Sequence, residues 1–230
     1  MGVLAAAGLA VPAAAQVAVE AALQSDYRVR GYSVSDGEPT ASVSLSYDDP
    51  SGFYLGGSAI GTLRDGDPEL LGIQGSAGYA VRLTPTVSID GGVARTQYLY
   101  GYGTTRDYDY TEVYLGVAVP NVTARLSYSP DYHRAAMQAL YAEVDGGFEP
   151  APGWFLSAHA GALAYLDMPP AYVAKRRYDW RLGVSRQFGR FGVHFDVSGR
   201  IEGRARYWIP YGPGSGRDRT AVVASLTRAF

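Results

Sequence analysis

From Val17 onward the apolar residues recur at every second position, and the positions between them are polar and often charged. Successive side chains of a strand point to opposite faces, so a period of two makes a ribbon with one apolar and one polar side. Val17, Val19, Ala21, Leu23, Tyr27 and Val29 share one face, and Glu20, Gln24, Asp26, Arg28 and Arg30 share the other. Ala41, Val43, Leu45 and Tyr47 alternate in the same way with Thr40, Ser42, Ser44 and Ser46. Leu71, Ile73, Ala77, Tyr79 and Val81 alternate with Gln74, Ser76 and Arg82, and Phe191, Val193, Phe195 and Val197 with His194, Asp196 and Ser198. The pattern predicts about twelve strands, near 17–31, 39–48, 53–62, 69–83, 86–99, 109–119, 122–129, 136–148, 154–166, 177–188, 191–202 and 220–230. The stretch 130–144 could start a helix, and is read as a loop leading into a strand.

The polar faces decide which kind of β protein this is. They carry Arg28, Arg30, Arg82, Arg125, Arg181 and Arg200 together with Glu20, Asp26, Asp90, Glu112, Glu143, Asp179 and Asp196. Burying that set in a closed soluble core would demand complete pairing and heavy desolvation. A wet lumen holds it without that cost, while the apolar faces meet lipid and closure removes every free strand edge. The connections alternate as well. Asp49–Gly52, Thr84-Pro85, Pro120-Asn121, Glu149–Gly153 and Gly189-Arg190 are short, whereas 100–108, 167–176 and 203–219 are longer. Short turns at one end and long loops at the other belong to outer-membrane barrels. The expected fold is therefore an all-β, transmembrane, antiparallel up-and-down β-barrel over residues 16–230, located in the bacterial outer membrane with both termini periplasmic. Arg95, Arg186 and Arg228 break the outward apolar pattern. Arg95 suggests a bulge, and the other two sit where they can reach lipid headgroups.

The 230 residues contain no cysteine, which excludes disulfides, thiolate metal sites and cysteine nucleophiles. The formal charge of −2 gives no electrostatic footprint for nucleic acid. Val3–Val11 is a short apolar stretch followed by Pro12 and Ala13-Ala14-Ala15, which reads as a secretory signal peptide over residues 1–15. Trp154 and Phe188 lie beside short turns, and Tyr100, Trp180 and Trp208 beside long loops, as in interfacial aromatic girdles. The last segment alternates to a terminal Phe230 and resembles the signal read by the barrel assembly machinery.

Ser25-Asp26-Tyr27-Arg28-Val29-Arg30-Gly31-Tyr32-Ser33 resembles the opening signature of the TorF-type porins, a proteobacterial outer-membrane family: Ser-Asp-Tyr, two residues, Arg-Gly, one residue, Ser. Pro50-Ser51-Gly52-Phe53-Tyr54-Leu55-Gly56 resembles the family's next motif. The resemblance implies an outer-membrane barrel acting as a channel; it implies no substrate and no catalytic residues.

Three roles are then open. The first is a narrow channel for passive diffusion of small polar or charged solutes, lined by Glu20, Asp26, Arg28, Arg30, Glu112, Arg125, Glu143, Arg181, Asp196 and Arg200. Arg on one wall facing acids on another would set a transverse field across it. The second is a plugged barrel with a structural or partner-binding role, in which Lys175, Arg176, Arg177, Arg204 and Arg206 form a basic loop patch suited to lipopolysaccharide phosphates. The third is a hydrolase using Ser157 with His159, or His194, with His133 in a loop; no catalytic role, metal or cofactor is expected.

Overall fold

A computed structural model describes residues 15–64, 66–99, 109–132, 137–169, 173–202 and 220–230. The signal-peptide reading falls, except for Ala15, outside these residues. Twelve strands form a closed antiparallel barrel: β1 (Gln16–Gln24), β4 (Thr40–Asp48), β5 (Phe53–Arg64), β6 (Asp67–Thr84), β7 (Val87–Tyr98), β8 (Tyr110–Val119), β9 (Val122–Ser129), β10 (Ala139–Ala151), β11 (Trp154–Tyr165), β12 (Arg176–Phe188), β13 (Phe191–Glu202) and β14 (Thr220–Ala229). Each pairs with its neighbour in this order, and β14 pairs with β1 to close the ring. Two further short strands, β2 (Arg28–Val29) and β3 (Tyr32–Ser33), form a separate hairpin. The turns 49–52, 85–86, 120–121, 152–153 and 189–190 and the first and last described residues lie at one end of the barrel; the strand ends that flank the longer connections lie at the other, where β5 also passes to β6 within two residues.

The alternation acts as the sequence implies. Val17, Leu23, Val43, Leu45, Val113, Leu115 and Val222 stand outward and exposed, a surface suited to hydrocarbon. The two-residue turns are set by residues that accept a left-handed backbone, such as Asn121 at φ 66°.

Three expectations are corrected. The first segment does not run as one strand over 17–31: β1 ends at Gln24, and the next residues leave the wall. Leu71 is not outward. Ile60 pairs with Gly72 and Gly61 with Leu70, so Leu71 is the extra residue of a β-bulge and turns inward, 1% exposed. Arg95 needs no bulge, since Gly75, Arg95 and Thr111 stay in register across β6, β7 and β8. Its side chain points outward at the loop end, where Asp109 at 3.5 Å and Asp131 at 3.4 Å neutralise it.

Candidate functional site

Beyond β1 the chain folds into the lumen. Ser25 fastens the departure point: its N–H donates to the Ala224 carbonyl, and its hydroxyl accepts from the Ala224 N–H. The carboxylate of Asp26 then organises the loop, accepting from Arg28 at 2.9 Å, Ser33 at 2.5 Å and Ser35 at 3.0 Å. β2 and β3 are joined by Arg30 and Gly31, with φ of 49° and 75°. Two consecutive positive φ values make a primed hairpin turn. An arginine pays about 1–2 kcal/mol to adopt that conformation, so its side chain must be held by other contacts.

Those contacts are extensive. The Arg30 guanidinium donates to Glu112 at 2.6 Å. It also lies 5.6, 5.0 and 3.9 Å from the ring centroids of Tyr110, Tyr132 and Tyr141. Cation–π contacts gain strength when desolvated, and the Arg30 and Glu112 side chains are each only 12% exposed. Gly31 is pressed so closely against β12 and β13 that an added Cβ would stand 2.8 Å from the Arg200 Cβ. The Tyr32 hydroxyl donates to Glu202, and Arg200 and Arg177 lie over its ring at 4.3 and 5.2 Å. The hairpin is thus clamped to β8, β10, β12 and β13.

Around it, each barrel strand contributes an inward residue no more than 9% exposed: Ala22, Thr40, Thr62, Leu71, Thr96, Glu112, Ser129, Tyr141, Leu163, Asp179, Arg200 and Val223. All belong to the loop-end half of their strands. Leu163 packs in a buried cluster with Tyr110, Tyr132, Ala139, Tyr141 and Tyr165, and Ser129 pairs with Ala139 of that cluster. The loop-end half of the lumen is therefore filled by the hairpin and this ring. The turn-end half stays wet: Arg125 and Arg181 keep 42% and 35% side-chain exposure, and Arg82 is exposed.

The charges are not divided between facing walls. β14, β1, β4 and β5 present mainly Ala, Ser, Thr, Gly and Gln inward, with Glu20 and, at the turn-end rim, Asp48 the charges among the described inward side chains of their spans. The strands from β7 to β13 carry both signs interleaved. Arg125 pairs with Asp90 at 3.4 Å, and Arg181 lies 3.6 Å from Asp145 and 3.9 Å from Asp196. The expected transverse field of arginines facing acids is replaced by one mixed-charge wall opposite a hydroxyl wall, because strand register sets opposite charges side by side.

Glu20, Glu112, Arg125, Glu143, Arg181, Asp196 and Arg200 all face inward from strands. Asp26, Arg28 and Arg30 belong to the inward loop and its hairpin instead of the wall. Of the basic loop patch, Lys175 and Arg176 are exposed at the loop end, whereas Arg177 turns inward over Tyr32 and Tyr165; Arg204 and Arg206 lie outside the described residues. His133 also lies outside them. Trp154, Phe188 and Trp180 point outward from their strands, while Tyr100 and Trp208 fall among residues not described.

The hydrolase residues do not assemble. His159 is held between Asp145 and Asp179, each at 2.9 Å, with the Tyr141 hydroxyl at 3.2 Å, and none of these partners is Ser157. His194 contacts Thr227 at 3.1 Å. Glu143, Asp145 and His159 bring possible metal-ligand atoms within 4.8 Å of one another. Both imidazole nitrogens of His159 are already engaged by carboxylates, so the cluster reads as a hydrogen-bond network. The tyrosine cage around Arg30 was missed in the sequence. Its signal was parity, since Tyr110 and Tyr141 share the faces of Glu112 and Glu143.

This fold is shared with solved porins. The NanC porin superposes with a TM-score of 0.58 at 7% identity, over 94% of this chain and 99% of that one. The KdgM porin gives 0.54 at 10% identity, over 93% and 99%. The COG4313 outer membrane channel from Pseudomonas putida F1 gives 0.51 at 12% identity, over 96% and 97%. At such identities the likeness is one of fold. No curated protein sequence matches the chain. A family described as "Bacterial protein of unknown function (Gcw_chp)" matches residues 8–198, and the chain belongs to that family.

Proposed function

We propose that this protein is an outer-membrane channel for passive diffusion of small polar or charged solutes, narrowed at its loop end by the hairpin of β2 and β3. The observation that carries the reading is the wet, mixed-charge turn-end lumen inside an apolar outer surface. The family of porin folds to which the barrel is similar, and the TorF-type signature that maps onto the hairpin, support it. Residues 1–15 serve as the export signal, both termini face the periplasm, and the strand ending at Phe230 is handed to the barrel assembly machinery.

The plugged barrel is the competing reading, favoured by the ring of buried inward residues around the hairpin. In that case Lys175 and Arg176, exposed at the loop end, would serve as lipopolysaccharide contacts. Liposome swelling separates the two. A channel admits small sugars and amino acids into proteoliposomes at rates that fall with solute size. A plugged barrel gives no swelling above that of protein-free vesicles.

A further inference from the structure

At the short-turn end, the outward face of β11 to β14 carries an arrangement unlike the rest of the apolar belt. Arg186 lies 4.8 Å from the Trp154 ring centroid and 5.0 Å from that of Phe188. Arg228 lies 5.4 Å from Phe191 and 4.6 Å from Phe230. Register makes these one patch, since Trp154 pairs with Arg186, Phe188 with Phe191, and Phe191 with Arg228. Arg190 is exposed in the turn between β12 and β13, and its carbonyl accepts from the Ala229 N–H.

Among the described residues, none of these three arginines has a carboxylate within ion-pair distance. Arg95, the outward arginine of β7, by contrast has two. Aromatic faces hold the two flanking guanidiniums in place and leave their N–H edges free, the geometry in which arginine takes a phosphate oxygen.

We infer that Arg186, Arg190 and Arg228 form a site for the phosphate of a net-anionic phospholipid in the leaflet at the short-turn end. The inference rests on the membrane-spanning reading of the barrel. Three positive charges without a protein acid disfavour a zwitterionic headgroup, whose ammonium would meet only arginines. The rings of Trp154, Phe188, Phe191 and Phe230 flank the glycerol and first methylenes.

Trp154 provides a reporter at the site itself. In a Trp180→Phe, Trp208→Phe protein refolded into phosphatidylcholine vesicles, a minor fraction of either brominated phosphatidylglycerol or brominated phosphatidylcholine is included. The site predicts about fivefold greater quenching per brominated lipid for phosphatidylglycerol, as about 1 kcal/mol of surface attraction would give. Arg186→Gln, Arg190→Gln, Arg228→Gln brings that ratio to unity while phosphatidylcholine quenching persists. A triple lysine variant, which keeps the charge, retains a ratio above unity and controls for misfolding. Equal quenching by both lipids in the parent protein, or a ratio unchanged in the glutamine variant, overturns the site. No quenching by either lipid would instead overturn the membrane-spanning reading beneath it.

Discussion

Glu112→Ala tests whether the hairpin is held by the contact that looks strongest. The variant removes the carboxylate that receives Arg30 at 2.6 Å and leaves the guanidinium among three tyrosine rings. Removing one partner of a buried ion pair costs about 3–5 kcal/mol, because the other charge is left uncompensated. Both side chains are 12% exposed, so solvent screening is small. The three rings retain part of the attraction, which puts the loss at the lower bound, about 3 kcal/mol. At about 1.4 kcal/mol per tenfold, the released population of the hairpin rises about 100-fold. Arg30 also sheds its left-handed backbone strain on release, which adds in the same direction. Single-channel recording reads this as a rise in open probability of a larger-conductance level, the one that the released hairpin leaves. The paired variant Arg30→Met, Glu112→Met supplies the control. Replacing a buried ion pair by apolar groups of similar volume is often neutral or stabilising, so this protein keeps the wild-type open probability. A Glu112→Ala channel that opens no more often than wild type would mean that the Arg30–Glu112 pair does not hold the hairpin. A double variant that opens as often as the single one would mean that the uncompensated charge is not what releases it.

Gly31→Val places a branched side chain where φ is 75° and where even a Cβ meets Arg200 and the Gly199 carbonyl; it expels the hairpin, and folded barrels become cleavable by trypsin at Arg28 and Arg30. The carboxyl of Asp49, in the first short turn, is held below the ordinary 3.8 by the Ser51 hydroxyl and N–H, with help from the Tyr47 hydroxyl. A carboxyl depressed in the folded state adds stability above its unfolded pKa and loses it as pH falls through the folded one; titration of Asp49 by NMR gives a midpoint below 3.8, and Asp49→Asn removes the pH dependence of that turn. Glu20, Asp90, Glu143, Asp145 and Asp196 outnumber Arg82, Arg125 and Arg181 in the wetter part of the lumen, so the reversal potential in a salt gradient shows cation preference, which Glu20→Lys with Glu143→Lys reverses. Deleting Phe230 slows barrel insertion by the assembly machinery without lowering the heat stability of the barrels that do form.

The barrel strands were legible because period two persists wherever one face meets lipid and the other water. β9 and β13 begin and end where the alternation does, at Val122–Ser129 and Phe191–Glu202. The same rule misled at the first segment. A hairpin inside the lumen also alternates, so Asp26, Arg28 and Arg30 kept the parity of Glu20 and Gln24 after the chain had left the wall. The turn at Arg30-Gly31 carried little warning, since arginine is not a residue that favours a positive φ. The charge layout was hidden for a different reason. Side-chain parity says which residues face the lumen, but only register says that Arg125 meets Asp90 and Arg181 meets Asp196. Leu71 needed the bulge, and no residue at Ile60 or Gly61 announces one.

The most direct test of a channel narrowed by its own hairpin replaces residues 26–38 by a short Gly-Ser linker. Single-channel conductance is then compared with wild type, using protein whose folding is verified by its gel mobility before heating. Stable steps of larger conductance are expected in the shortened protein than in wild type, because the hairpin contacts to Glu112, Tyr141 and Arg200 are gone and the loop-end lumen opens to water. Silence from a folded, hairpin-deleted barrel would contradict that expectation.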